Sequence, residues 1–300
     1  MPERLPMRAK ERVLGIVGDR VVLVRPKDAG SVIAIRSFST GKAVVDAVEV
    51  PELREPYAVV AGSFVIAVPT RLPEGRVGGV TAISTVDGSI RSLIPETASS
   101  KQDPVRSLIA SSLGDEIATG VCATAVDFTG DCGPLAIVNV STGATVDSID
   151  IGGGVPVELN ADGILAYWLD HVEFIDRAGH LAWKTRSWSG GEFLQFVERL
   201  PDGGLVVGVL RTGDNLVWRF LEVDEATGGT DFVAKWTAGP PNFAAILAPR
   251  KMVMIEADDP GSSCWYVACS AADHPVLDGA ILNLATGEIT PHAVHVNLTP

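Results

Sequence analysis

The sequence predicts an all-β chain built from a diverged four-strand repeat, and two recurring turns carry that prediction. The first lies between apolar, β-branched runs: Ser39-Thr40-Gly41, Val86-Asp87-Gly88, Ser141-Thr142-Gly143, Ala178-Gly179, Ala226-Thr227-Gly228 and Ala285-Thr286-Gly287. Glycine supplies the positive φ of a tight hairpin, and the neighbouring Ser, Thr or Asp bonds the turn backbone. The second turn lies upstream: Gly18-Asp19, Gly62-Ser63, Gly114-Asp115, Asp162-Gly163 and Asp202-Gly203, with Pro249-Arg250 as a sixth copy lacking glycine. Two turns per repeat imply four strands, a to d. A period of about fifty residues, a little longer than a usual blade, points to a β-propeller of about six four-stranded blades.

The strands follow from residue type. The first repeat reads Val13–Val17, Arg20–Arg25, Ser31–Ser37 and Ala43–Val50; the fifth reads Phe193–Arg199, Leu205–Leu210, Val217–Val223 and Phe232–Trp236. These runs are rich in β-branched and aromatic residues, and nowhere do apolar residues hold helical spacing over eleven positions. The blades are expected at 12–50, 57–96, 105–151, 155–187, 192–237 and 242–296, within a single domain spanning 1–300. Two further strand-like segments, Leu5–Ala9 and His292–Leu298, flank the array. One of them is expected to complete a sheet with the other end of the chain, and together they leave a seventh, composite blade open.

Composition sets outer limits. The chain has 300 residues, 46% hydrophobic and 20% charged, which fits a globular fold with a large core. Its net charge of −13 disfavours nucleic acid and anionic membranes as partners, and the basic residues Arg4, Arg8, Lys10 and Arg12 are interrupted by acids. No apolar run is long enough to span a bilayer, and the first residues lack a secretory signal. A mature or excised extracytoplasmic or membrane-tethered module is expected, with a cytoplasmic protein as the alternative.

The four cysteines form two close pairs, Cys122 with Cys132 and Cys264 with Cys269. Two disulfides closing small loops are expected. Four reduced thiols stay open as the second reading, and a zinc site as the third.

The segments Ser31 to Lys42, Leu135 to Ala144 and Ala280 to Glu288 resemble the repeat of the quinoprotein-like (PQQ-like) propeller superfamily, and more broadly WD40-like propellers. In that repeat a strand ends in a Thr-Gly turn, and the next strand often carries a docking tryptophan; Trp183 and Trp236 stand at matching positions. The resemblance implies the fold. The family's quinone enzymes have eight blades and adjacent cysteines, which this chain lacks, so no quinone cofactor is implied.

In a propeller the d-to-a and b-to-c connections share the mouth of the central channel, and here they vary most in length. Variable loops on a rigid scaffold are where binding resides. The longest, 257–278, contains Cys264, Trp265, Tyr266, Cys269, Asp273 and His274. Trp265 and Tyr266 either present a binding surface or extend a strand. Asp131, beside Cys132, belongs to the same connection of the third repeat, and Trp188 and Glu192 flank a glycine-rich entry to the fifth. A phosphate cradle there would need a following helix, and a strand follows instead. Asp170 and His171 are adjacent; on a strand they would point to opposite faces, so they are read as a tight b-to-c turn. No nucleophile, metalloprotease or calcium-loop motif is present.

The expected function is therefore a non-catalytic module binding a protein, peptide or carbohydrate at the loop-rich mouth. The alternative is a propeller hydrolase, lyase or cyclase using Asp, Glu or His. No cofactor is expected, with a divalent cation in the channel as the variant of that alternative.

Overall fold

A computed structural model describes residues 7–70, 72–100, 104–111, 114–123, 131–188, 190–200, 202–211, 217–236, 241–248, 251–256, 276–283 and 286–295. The described chain is all β, as the turn pattern predicts, and no helix is long and apolar enough to cross a membrane.

The first antiparallel sheet holds β1 (Arg12–Val17), β2 (Arg20–Lys27), β3 (Gly30–Ser37) and β4 (Ala43–Val50). The second holds β5 (Tyr57–Ala61), β6 (Phe64–Val68), β8 (Val80–Ser84) and β9 (Ile90–Ile94), with β7 (Arg76–Val77) in its b-to-c connection pairing β10 (Thr97–Ala98). The third holds β11 (Pro104–Ala110), β12 (Glu116–Ala123), β14 (Leu135–Asn139) and β15 (Thr145–Ile149), with short β13 (Asp131–Cys132) beside β12. The fourth runs β16 (Val155–Leu159), β17 (Gly163–Tyr167), β18 (Val172–Asp176), β19 (Leu181–Lys184). The fifth runs β20 (Glu192–Arg199), β21 (Leu205–Arg211), β22 (Val217–Asp224), β23 (Gly229–Trp236). The sixth runs β24 (Pro241–Ala248), β25 (Lys251–Glu256), β26 (Val276–Asn283), β27 (Ile289–His295).

Each of the six sheets follows chain order along its four main strands, so each is a local meander. His292 to His295, expected as a separate strand, form the second half of β27, the fourth strand of the sixth sheet. Residues 7–9 are not a strand, and no composite sheet joins the two ends among the described residues. A strand pairs with its nearest sequence neighbour when a tight turn connects them, and the bonds of Asn283 with Thr286, Gly287 and Glu288 close that turn.

The chain divides into two compact units. One comprises Met1–Trp168 with Phe174–Ala182, and the other comprises Leu169–Glu173 with Trp183–Pro300. In the first unit, sheet packs on sheet in order. Val22, Ile33 and Ile35 meet Val65 and Ile83; Ile66 and Ala82 meet Ile117 and Val138; Leu135 and Ile137 meet Ile164 and Ile175. The first strands of successive sheets lie side by side, β1 on β5, β5 on β11 and β11 on β16. Sheets covered on both faces need continuous apolar runs, as in Val21–Val24 and Val65–Val68, while the fourth strand β4 is largely exposed. The second unit has the same signature: Leu205 to Leu210 are all buried, and Phe220 is fully buried.

The Thr-Gly turn has a single hydrogen-bond scheme. The glycine N–H donates to the carbonyl four residues back: Gly41 to Ser37, Gly88 to Ser84, Gly143 to Asn139, Gly228 to Asp224 and Gly287 to Asn283, at 2.7 to 3.0 Å. The Thr hydroxyl accepts the N–H after the glycine, as in Ala144 to Thr142 at 3.2 Å and Gly229 to Thr227 at 3.1 Å. The side chain four residues back also caps the turn, as when Asn139 Oδ1 accepts from Ser141 N and Thr142 N.

In the second sheet Asp87 takes the threonine's place. The Ser89 N–H and the Ser84 and Ser89 hydroxyls pull its carboxyl down to about 2. Its folded pKa lies below the unfolded one, so its contribution is complete above about pH 4 and is lost as pH falls toward 2. The melting temperature of Asp87→Asn is therefore expected to fall less steeply than wild type between pH 4 and pH 2.5. Parallel slopes in a pH series of thermal melts would contradict this.

Candidate functional site

One long mouth-side connection in the first unit is the link between β6 and β8. Eleven residues separate Val68 from Val80, and Pro69, Pro73, Gly75, Gly78 and Gly79 keep most of them out of a regular ladder. Local bonds nevertheless fix the segment. Val77 and Arg76 pair with Thr97 and Ala98, Ser99 N donates to Gly75 O at 2.9 Å, and Arg76 Nε donates to Glu96 Oε1 at 2.7 Å. Thr70 is tied to the preceding connection through its N–H to Arg54 O at 3.1 Å and its hydroxyl to Glu55 O. Val77 is fully buried beneath.

Between this segment, the start of β5 and the start of β11 lies a cleft of about 410 Å³. Tyr57, Leu72 and Pro73 give it apolar surface, while Glu74, Arg76 and Arg106 give it polar groups. Tyr57 is 52% exposed, an aromatic ring held at the opening by its strand. Arg106 lies in β11, and its Nε donates to the carbonyl of Gly78. The cleft volume is in the range of small-ligand sites, and its mixed lining suits a ligand with one apolar face.

A second cluster sits in the other unit, at the turn into β18. His171 Nδ1 lies 2.6 Å from Asp170 Oδ1, and its Nε2 lies 3.1 Å from Glu173 Oε1 and 3.0 Å from Lys184 Nζ. Lys184 Nζ also pairs with Glu173 at 3.0 Å. Asp170 and His171 do form the b-to-c turn. Contrary to the strand argument their side chains meet, because the chain bends at Leu169 and Asp170 rather than continuing extended. Burial works against ionising Asp170, but the hydrogen bonds from His171 and Ser187 outweigh it and hold the carboxyl below its ordinary value. The imidazole is only 7% exposed and both its nitrogens are engaged, while the Asp170 and Lys184 side chains reach solvent. The Thr185 hydroxyl accepts from Val172 N, and Trp188 N donates to Asp170 O, which fixes the turn further.

The residues singled out from sequence are dispersed. Trp188 is 4% exposed, and the Glu192 carboxylate pairs with Arg219 at 2.7 Å. Asp131 opens β13, opposite Ala123. Cys122 and Cys132 face each other across β12 and β13 as a disulfide. Trp183 is buried in β19, and Trp236 ends β23. Cys264, Trp265, Tyr266, Cys269, Asp273 and His274 lie outside the described residues. Among the described residues no group of three His, Cys, Asp or Glu side chains is placed to hold a metal ion. Tyr57, Arg76 and Arg106 escaped the sequence reading; the signal available was the proline- and glycine-punctuated link 69–79, too long for a plain hairpin.

Comparison with solved structures decides the fold. An oligogalacturonate lyase in complex with manganese superposes with a TM-score of 0.59 at 14% identity, over 91% of this chain and 73% of that one. The WD40 domain of coronin from Toxoplasma gondii gives 0.52 at 10% identity, over 93% and 69%. The fold is that of a β-propeller. A prolyl endopeptidase chain matches the propeller at 0.57 and 12% identity, over 94% of this chain but 41% of its own length. No family model matches the propeller, and no curated protein sequence does either. These neighbours span enzymes and a WD40 domain, so the fold is common to catalysis and binding.

Proposed function

We propose that the chain is a six-bladed, non-catalytic propeller module that binds a protein, peptide or carbohydrate segment in the cleft between the β6–β8 link and β11. The observation that carries this reading is the cleft itself: a fixed loop, an exposed Tyr57 and the polar groups of Glu74, Arg76 and Arg106, on the face where the variable connections emerge. The acid-base cluster at Asp170 and His171 has both imidazole nitrogens engaged by its own neighbours. An extracytoplasmic or membrane-tethered location fits the Cys122–Cys132 disulfide, a bond that persists in oxidising compartments.

The test is an array of oligosaccharides and peptides, probed with the full chain and with Tyr57→Ala. An exposed aromatic anchor at a binding site contributes on the order of tenfold or more in affinity. Tyr57→Ala is expected to lose at least that factor for the ligands found, while its melting temperature stays within about a degree of wild type. Ligands retained in full by Tyr57→Ala would move the site away from the cleft.

The second reading, an enzyme, is favoured by the Asp170, His171, Glu173 and Lys184 network. It predicts turnover of an array ligand that His171→Gln abolishes. The binding reading predicts that His171→Gln binds as wild type does.

A further inference from the structure

Four half-buried arginines among the described residues have an acid of their own. Arg36 pairs with Glu11, Arg177 with Glu116, Arg199 with Glu225 and Arg219 with Glu192. Arg106 does not. It is half-buried in the cleft, and its partner among the described residues is a neutral one, the carbonyl of Gly78, held by Nε. The other cleft arginine, Arg76, is already engaged by Glu96. Arg91 is likewise bonded to a carbonyl, that of Ser141, but of the two it is Arg106 that lines the cleft.

The physical consequence is direct. A guanidinium stays protonated at any physiological pH, so it cannot relieve its burial by losing charge. Burial here already works against the charged form and lowers the Arg106 pKa. One neutral carbonyl uses one of five N–H donors and leaves the planar fork of the side chain for another acceptor. The group that best compensates a desolvated guanidinium is an oxyanion that accepts two parallel hydrogen bonds.

Resting on the cleft as the binding site, we infer that Arg106 reads an oxyanion, a carboxylate or a phosphate, on the ligand that the cleft takes. The net charge of the chain favours cationic or neutral partners at long range. Arg106 would then select, at contact distance, those ligands that carry an acidic group. Tyr57 packs on the ligand body, and Arg106 fixes its orientation.

The experiment uses the full chain, with Arg106→Gln and Arg106→Lys, on matched probes: glucuronate, glucose 6-phosphate and glucose, and the same three groups displayed on short oligosaccharides, at constant ionic strength. Wild type is expected to bind the acidic members at least tenfold more tightly than the neutral ones. Arg106→Gln is expected to bring all of them to one common affinity, and Arg106→Lys to recover only part of the difference, since an ammonium lacks the fork. Comparing the uronate and phosphate arms tells which oxyanion is read. Circular dichroism and melting of both variants establish that they are folded, and Arg106→Lys keeps the test decisive if Arg106→Gln is not. Equal binding of acidic and neutral probes by wild type, or an acidic preference that survives Arg106→Gln, would overturn the inference while leaving Tyr57-dependent binding in place. Binding of every ligand that ignores both Tyr57 and Arg106 would overturn the cleft reading as well.

Discussion

Phe220→Ala is expected to destabilise the second unit by about 3–5 kcal/mol, the range for removing a fully buried phenyl ring. Phe220 is 0% exposed, in the third strand of its sheet. Its register neighbours are Gly208 on β21 and Ala234 on β23. Both are small, so the ring occupies space that its cross-strand partners leave empty. Trp218, two residues earlier and on the same face, stacks at 6.5 Å between ring centroids with 17° between planes. Removing the phenyl leaves a hole that neither Gly208 nor Ala234 can fill, and the cost of a cavity rises with the volume that stays open. Urea unfolding followed by tryptophan fluorescence would measure it. A loss under about 1 kcal/mol would mean that the strands close over the gap, and that this packing does not hold the sheet.

Gly228→Ala is expected to cost more than about 3 kcal/mol, and the same change at Gly179 only about 1–2 kcal/mol. Both glycines occupy the turn between the third and fourth strands of their sheets, with φ of 72° and 83°. Each therefore carries the left-handed penalty when a Cβ is added. They differ in surroundings. A Cβ on Gly228 would come to 2.2 Å from the carbonyl oxygen of Lys184, while one on Gly179 would meet nothing within 4 Å. Backbone cannot step aside as a side-chain tip can, so the extra cost falls on Gly228 alone. Parallel thermal melts of the two variants separate conformational strain from steric approach. Equal losses would show that the turn tolerates a methyl against β19.

Local chemistry is what made the fold legible. The Thr40-Gly41 and Thr142-Gly143 turns could be read because the hydrogen bonds that define them span only four residues. Even there, half the motif went unread: Ser37, Asn139 and Asp224, each four residues before its glycine, supply the accepting carbonyl and a capping side chain. The ends of the chain were less legible. His292 and the residues after it look like a strand in either setting, and only the pairing of Val276 with His295 places them in the sixth sheet.

The site was harder still, for a geometric reason. Tyr57, Leu72 and Arg106 are far apart in sequence, and nothing local marks them as neighbours. Arg106 reads as an ordinary charged residue in a β-strand until the fold sets it in the cleft with the carbonyl of Gly78 as its partner. Conversely, Asp170-His171 looks chemical in sequence, yet in the fold the imidazole is spent on Glu173 and Lys184. The Cys122–Cys132 pairing was accessible because the two cysteines stand ten positions apart, and the antiparallel pairing of β12 with β13 brings them face to face.

The most direct test of ligand binding at the cleft is hydrogen–deuterium exchange of the full chain with and without a saturating array ligand. The account predicts slowed exchange in peptides covering 69–79 and the start of β11, with the Thr-Gly turns unchanged. Protection confined to those turns, with 69–79 exchanging as in the free chain, would contradict it.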